Sequence, residues 1–256
     1  MPIQVTDPAD PRLADFRDLA SADRRPDRPG GRGLVLAEGV PVVQRLLASP
    51  YPVRAVLGVA PRLAALAPTI PAGPPVYEVT AELMAEVVGF RLNRGVLASA
   101  DRAPQWRAAD LLATARRVVV LEGVNDHENL GAVFRNAAAL GADAVLLGPR
   151  CADPLYRRSV RVSMGHVLRV PFAPVSTSDD LSDFTTVALT PHPPAVPLSS
   201  VDRTLPAVAL VAGAEGPGLT PETLAAADLR VRIPMESGVD SLNVATAVAI
   251  ALYHLR

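Results

Sequence analysis

The chain has 256 residues, 49% of them hydrophobic and 20% charged, and a formal net charge of −1. That composition belongs to a folded globular protein with a substantial core and excludes a disordered chain. One cysteine, Cys151, excludes an internal disulfide framework or a cysteine-based zinc cluster, and the near-neutral total gives no global electrostatic footprint for nucleic acid.

The opening residues, MPIQVTDPADPRLAD, hold no apolar run and read as no secretory signal. The longest apolar run, Leu242 to Tyr253, is too short for a membrane span, so a cytoplasmic protein is expected. Residues 1–33 read as a polar lead-in rich in proline and arginine, with a short helix near Pro11–Ala22 before a glycine-rich break. Arginines 24, 25, 28 and 32 alternate with Asp23 and Asp27, the pattern of a mixed-charge tail.

From Leu34 the pattern changes. LVLAEG reads as a strand, VPVVQRLLAS as a helix, VRAVLGV as a strand, PRLAALAP as a short helix, PVYEV as a strand and TAELMAEVVG as a helix. NRGVLASA closes this series, and the alternation predicts a small α/β layer. A linker and a first helix fall in DRAPQWRAADLL, dividing the chain into domains at 1–105 and 106–256. The second series opens with RRVVVLEGV as a buried strand, NLGAVFRNAAALG as a helix and ADAVLLGP as the next strand, one βαβ unit. HVLRVPF, TTVALT, VALVAG and LRVRIPM read as further strands. Thr220 and Pro221 open a helix over TPETLAAA, and the chain ends in the apolar helix LNVATAVAIALYHLR.

Three segments of the second domain carry chemistry. On the helix after its first strand, Leu130, Val133, Phe134, Ala137 and Gly141 share one face at 100° per residue, and Arg135 lies clear of it. Asn129 stands at the start of this helix, as its N-cap or as a functional group. In VALVAGAEGPGL a strand runs into a glycine-rich turn, where a ligand can approach the backbone closely. The acidic Glu215 in that turn disfavours a phosphate and favours a cationic or hydroxyl-bearing ligand. Neither a dinucleotide fingerprint nor a phosphate-binding loop is present. In RIPMESGVDSLNVATAVAIALYHL, Ser241 is a candidate N-cap and Asn243 is a polar residue in an otherwise apolar helix. A helix apolar on nearly every face needs burial in the core or against a partner. PLYRRSVRVSMGHVLR gathers Arg157, Arg158, Arg161 and Arg169, either a solvated charge cluster or a phosphate-binding patch.

Taken together, NLGAVFRNAAALGADAVLL, VAGAEGPGL and RIPMESGVDSLNVATAVAIAL resemble, in order and separation, the three motifs of the SpoU/TrmH family of RNA methyltransferases in the SPOUT superfamily. LVLAEGVPVVQRLL and NRGVLASADR look like the ribosomal-protein-like substrate-binding domain of many rRNA-modifying members. The resemblance implies an α/β catalytic domain with a deep trefoil knot, against the general rule that chains do not thread loops. It implies a homodimer with the last helix in the interface, S-adenosylmethionine as cofactor, and methylation of a ribose 2′-hydroxyl, in rRNA ahead of tRNA. Asn129, Arg135, Glu215, Ser241 and Asn243 become the catalytic positions. Leu210, Ala212, Gly213, Ala214, Glu215, Gly216, Ile233, Met235, Ser241 and Leu242 become cofactor-binding positions, and the four arginines from Arg157 to Arg169 become RNA contacts. Ala214 departs from the pattern, since many members carry Asn before the motif Glu. No metal is implied, because His127, His166, His192 and His254 lack ligand spacing. A non-catalytic RNA-binding member of the family is the rival reading.

Overall fold

The computed structural model describes residues 1–21, 33–102, 106–175 and 181–256. The arginine-rich tail expected at 24–32 lies outside the described residues. In chain order the first elements are β1 (Ile3–Gln4), β2 (Leu34–Glu38), α1 (Val40–Leu47), β3 (Val53–Gly58), α2 (Ala60–Leu66), β4 (Val76–Glu78), α3 (Ala81–Val88) and β5 (Val96–Asp101). Then follow α4 (Ala108–Leu112), β6 (Arg117–Glu122), α5 (His127–Leu140), β7 (Ala144–Leu147), α6 (Arg157–Val162), β8 (Phe172–Pro174) and β9 (Thr185–Leu189). The last are β10 (Val196–Pro197), β11 (Val208–Gly213), α7 (Pro221–Ala226), β12 (Leu229–Arg232) and α8 (Val244–His254).

Two compact units result: Met1–Pro104 with Leu155–Arg169, and Gln105–Pro154 with Val170–Arg256. The first holds a five-stranded mixed sheet of order β1-β4-β3-β5-β2, in which β5 runs antiparallel to β2 and β3. The helix expected near Pro11–Ala22 is present as a shorter 3₁₀ helix at Pro11–Phe16, and the lead-in around it packs inward. Leu13, Phe16 and Leu19 are fully buried; the helix's repeat of three puts Leu13 and Phe16 on one side, and Leu19 follows in the turn after it. Asp15 is drawn in with them, bonded by Arg54 Nε at 2.8 Å and Ser99 Oγ at 3.0 Å. The stretch Leu155–Arg169 belongs to this unit because its apolar residues Val160, Val167 and Leu168 are buried there and α6 packs against β2.

The second unit is a seven-stranded sheet of order β10-β12-β9-β11-β6-β7-β8, parallel at every pairing. Strands covered on both faces must be apolar throughout, which is why Val118–Leu121 and Val208–Ala212 read as continuous hydrophobic runs. Helix α5 lays Leu130, Val133, Phe134 and Ala137 inward with no exposed surface, and Phe134 meets Phe172 edge-on at 5.5 Å. This helix begins before Asn129. Asp126 is its N-cap, accepting the N–H groups of Glu128 and Asn129, so the cap reading of Asn129 falls away. At the other end Gly141 closes the helix in the left-handed conformation, φ 76°. Asn243, not Ser241, caps α8, so it stands at the helix's mouth and not within its apolar body. The predicted strand HVLRVPF is a 3₁₀ turn at His166–Leu168 followed by β8 alone, because Met164 and Gly165, both at positive φ, turn the chain just before it.

Replacing Phe134 by Ala is expected to cost about 3–5 kcal/mol, the range for deleting a buried aromatic ring. Urea unfolding checks it; a loss under about 1 kcal/mol would mean the α5–sheet contact is not a principal packing contact.

Candidate active site

In a parallel sheet all strands end on the same side, and their following loops converge there. The turn after β11, the residues after β9 and the loop from β12 to α8 enclose a cavity of about 460 Å³. Its walls are Leu189 to His192 from β9, Ala212 to Leu219 from β11, Ile233 and Met235 after β12, and Ser241 to Val244 at the mouth of α8. All the cofactor positions implied by the family motifs line this cavity except Leu210, which is wholly buried inside β11.

The turn at 213–219 is shaped by backbone touching backbone. A methyl group on Gly213 would stand 2.3 Å from the carbonyl carbon of Gly218, so no side chain fits. The Gly218 N–H donates to the Ala214 carbonyl at 3.0 Å, closing the loop on itself. Beyond it, the Thr220 N–H donates to Glu122 Oε1 at 3.3 Å, which ties the end of the turn to the end of β6. Glu215 is held out from the middle of a loop anchored on both sides.

Asn243 brings three distant segments together. Its Oδ1 accepts the N–H groups of Ala245 and Thr246 at 3.0 and 3.2 Å, capping α8. Its Nδ2 donates to Asn129 Oδ1 at 2.6 Å and to Glu215 Oε1 at 2.9 Å. A backbone N–H can only donate and a carboxylate can only accept, so the orientation of this amide is dictated by its neighbours. Asn136, two turns along α5 from Asn129, donates to the Ala245 carbonyl at 2.8 Å and fastens the same first turn of α8. The isolated sequence signals of Asn129, Glu215 and Asn243 thus converge on one cluster, and Ser241 lines the adjoining cavity.

Arg135 lies elsewhere. It is exposed on α5, about 120° round the helix from Asn129 by the helical repeat, and is not on the cavity wall. Of the four arginines in the basic segment, Arg157 is engaged within the first unit: its Nη1 meets Glu38 Oε2 at 3.1 Å and its guanidinium lies 5.1 Å from the Phe90 ring centre. Arg157, Arg158 and Arg161 with Tyr156 line a small cavity of about 200 Å³, and Arg169 is exposed. Burial pushes the Cys151 thiol up from its ordinary range, which disfavours the thiolate. Among the described residues no group of three or more His, Cys, Asp or Glu is placed to hold a metal ion, and no helix is long and apolar enough to cross a membrane.

Residues 189–192 were missed by the motif reading. They follow β9, which pairs with β11, so they end on the same edge as the glycine turn. That rule of parallel sheets was the available signal, but it needs the strand order, which one sequence does not display.

The sequence matches the SpoU rRNA Methylase family over residues 116–253. An uncharacterized tRNA/rRNA methyltransferase of Mycobacterium tuberculosis is 55% identical over 262 aligned residues, covering 97% of this chain and 90% of that protein. A 23S rRNA (guanosine(2553)-2′-O)-methyltransferase of Bacillus subtilis is 33% identical over 57% of this chain and 60% of its own. Among solved structures, an AdoMet-bound rRNA methyltransferase from Sinorhizobium meliloti superposes with a TM-score of 0.83 at 27% identity, covering 99% of this chain and 97% of that one.

Asn243→Asp keeps the cap on α8 but replaces two donated bonds with acceptors facing Asn129 Oδ1 and Glu215. It is expected to destabilise the protein by about 1–3 kcal/mol, and Asn243→Ser, which also keeps the cap, by less. Chemical denaturation of both variants checks this; equal stability for Asp and the wild type would refute the donor assignment.

Proposed function

Because the chain belongs to the SpoU rRNA methylase family, we propose that it transfers a methyl group from S-adenosylmethionine to a ribose 2′-hydroxyl of RNA, with rRNA as the favoured substrate. The observation that carries the reading is the cluster of Asn129, Glu215 and Asn243 beside a cavity of about 460 Å³ at the C-terminal edge of the parallel sheet. The cavity suits that cofactor on its own chemistry. Glycine backbone leaves open space for a ligand at Gly216, apolar Leu189, Ile233, Met235 and Leu242 suit a base and an alkyl chain, and Glu215 suits a sulfonium cation. The bound cofactor supplies an activated methyl group.

What the protein must add is alignment and proton management. Main-chain groups of Ala212 to Gly216, Ile233 to Met235 and Leu242 would hold the cofactor, with Ser241 at the rim. Arg135 offers a fork of N–H donors and no acceptor. Its proposed role is to position the RNA and to stabilise negative charge developing on the ribose oxygen. Arg158, Arg161 and Arg169 would meet phosphates, with Arg157 beside them.

For the substrate, the 2′-O-methylating rRNA enzyme of Bacillus subtilis and the rRNA methyltransferase of Sinorhizobium meliloti support rRNA. A first domain at residues 1–105, ahead of a catalytic domain at 106–256, would present that RNA, and the family's knot would lie near the C-terminus. The homodimer reading is supported by α8, which buries Val244, Ala245, Val248, Ala251 and Leu252 but leaves the large apolar Ile250 and Tyr253 39% and 55% exposed. Cytoplasmic residence follows from an RNA substrate.

Labelled methyl from S-adenosylmethionine is expected to enter unmodified rRNA, and Arg135→Ala to lower that transfer by about 100-fold or more. Label in tRNA alone would move the substrate; no label with no cofactor binding would promote the non-catalytic RNA-binding reading. Ile250→Glu with Tyr253→Glu is expected to halve the mass measured by light scattering; an unchanged mass would place the interface elsewhere.

A further inference from the structure

The hydrogen-bond directions in the cluster extend beyond Asn243. Its Oδ1 accepts two backbone N–H groups, and both protons of its Nδ2 are donated, so the amide has no capacity left. Asn129 must therefore accept through Oδ1, which commits its own Nδ2 to being a donor. That Nδ2 has no hydrogen-bond partner among the described residues. Glu215 accepts from Asn243 through Oε1, and its Oε2 likewise has no partner there. Of the motif residues, Asn243 is saturated, Asn129 offers only a donor, and Arg135, away from the cavity wall, offers donors and no acceptor. The Ser241 hydroxyl is no stronger a base than a ribose hydroxyl. Glu215 alone offers an anionic acceptor.

We propose that Glu215 is the proton acceptor of the methyl transfer, taking the ribose 2′-hydroxyl proton on Oε2 while the outward Nδ2 of Asn129 orients the ribose by donating to it. The inference rests on the methyltransferase reading above and names the group which that reading leaves open. As the ribose oxygen forms its bond to the methyl carbon, the carbon–sulfur bond breaks and its electron pair stays on sulfur as a neutral thioether. The O–H proton passes to the carboxylate, and the resulting acid returns it to water before the next turnover. Charge balances: one cation and one carboxylate become two neutral groups. The arrangement places an anion where a sulfonium cation binds, and both charges vanish in the same step. Asn243 is the positioning residue, because its donated bond turns Oε1 inward and leaves Oε2 for the substrate.

Glu215→Gln is the sharpest test, since Gln retains an acceptor for Asn243 and exchanges the other oxygen for an NH₂ donor. Three quantities are measured on the full chain: cofactor affinity by calorimetry, the melting temperature without ligand, and the single-turnover rate on the RNA that the wild type methylates. With S-adenosylmethionine saturating for each protein at a concentration set by the calorimetry, since removing the charge beside the sulfonium weakens binding, an unchanged melting temperature and a single-turnover rate lower by about 100-fold or more are expected, the usual scale of general-base catalysis. Formate is expected to restore part of the rate to Glu215→Ala without changing its cofactor affinity, a rescue that a purely structural role does not give. In the ligand-free protein, the Asn129 side-chain amide protons are expected to exchange with solvent faster than those of Asn243, a readout independent of turnover. A Glu215→Gln rate within about threefold of wild type overturns the proposal. So does a variant whose whole defect is lost cofactor binding, or a large loss in His192→Asn with Glu215→Gln unaffected, which would move the acceptor to the imidazole lining the same cavity. A wild-type protein that binds no S-adenosylmethionine instead removes the methyltransferase reading itself, and the proposal with it.

Discussion

The side-chain amide of Asn243 is the constraint on which the site depends. It is the one group that simultaneously caps α8, reaches the first turn of α5 and holds the glycine-rich turn after β11. Those segments lie 114 and 28 residues away from it in sequence. A capping bond is worth about 1 kcal/mol to a helix, but its larger consequence here is directional. Because the two capping N–H groups can only donate, they fix which end of the amide faces the site. That choice then fixes the polarity of Asn129 and the free side of Glu215. The site's arrangement of donors and acceptors is thus inherited from the start of a helix.

Such a cluster needs rigid supports, and the parallel sheet supplies them. Each of its parts hangs from the C-terminal end of a strand or the N-terminal end of a helix packed on that sheet. The glycine turn would be a weak support if it were mobile, since glycine loses the most freedom on ordering. Here both ends are held. On one side β11 runs in register with β6 up to Gly213 opposite Glu122, and on the other Thr220 is bonded to that same Glu122. The single carboxylate at the end of β6 closes the loop, and Glu215 projects from the span between. Asn136 does the equivalent work for α8, using a spacing of two helical turns from Asn129 to place a second amide on the same face of α5.

Much of this could be read from residue order, and the parts that could not share a cause. The apolar runs of β6, β7 and β11 and the inward face of α5 are local patterns, legible because buried parallel strands tolerate nothing polar. Thr220 as a cap is equally local and stands where its residue type predicts. Asn129 and Asn243 were ambiguous because Asn is favoured both at caps and at sites. Only the competition from Asp126 decides the first, and the second turns out to be a cap and a member of the site together. Non-local facts stayed hidden. Leu13, Phe16 and Leu19 read as polar lead-in because the charged residues between them dominate the composition, and the spacing of three that buries Leu13 and Phe16 belongs to a 3₁₀ helix instead of an α-helix. The contribution of Leu189 to His192 depends on strand order, and the grouping of Leu155–Arg169 with the first unit depends on the partners of Val160 and Leu168.

A net charge of −1 sets a further condition on any RNA reading. Long-range attraction cannot bring a polyanion to a neutral chain, so recognition has to come from local arginines separated from the acidic residues. Within the first unit that separation is incomplete. Arg157 faces Glu38 and lies over Phe90, a geometry that holds the guanidinium plane in place and neutralises much of its field. Arg94 approaches the same Glu38 at 3.7 Å. Glu38 is 7% exposed, and a carboxylate so buried requires cationic partners, which makes this cluster a structural demand of the unit before it is anything else. Arg157 is therefore first a structural residue of this unit, and the phosphate contacts proposed for the segment cannot rest on it alone. With a net charge of −1 supplying no overall attraction, the RNA reading rests on shape and a few placed contacts.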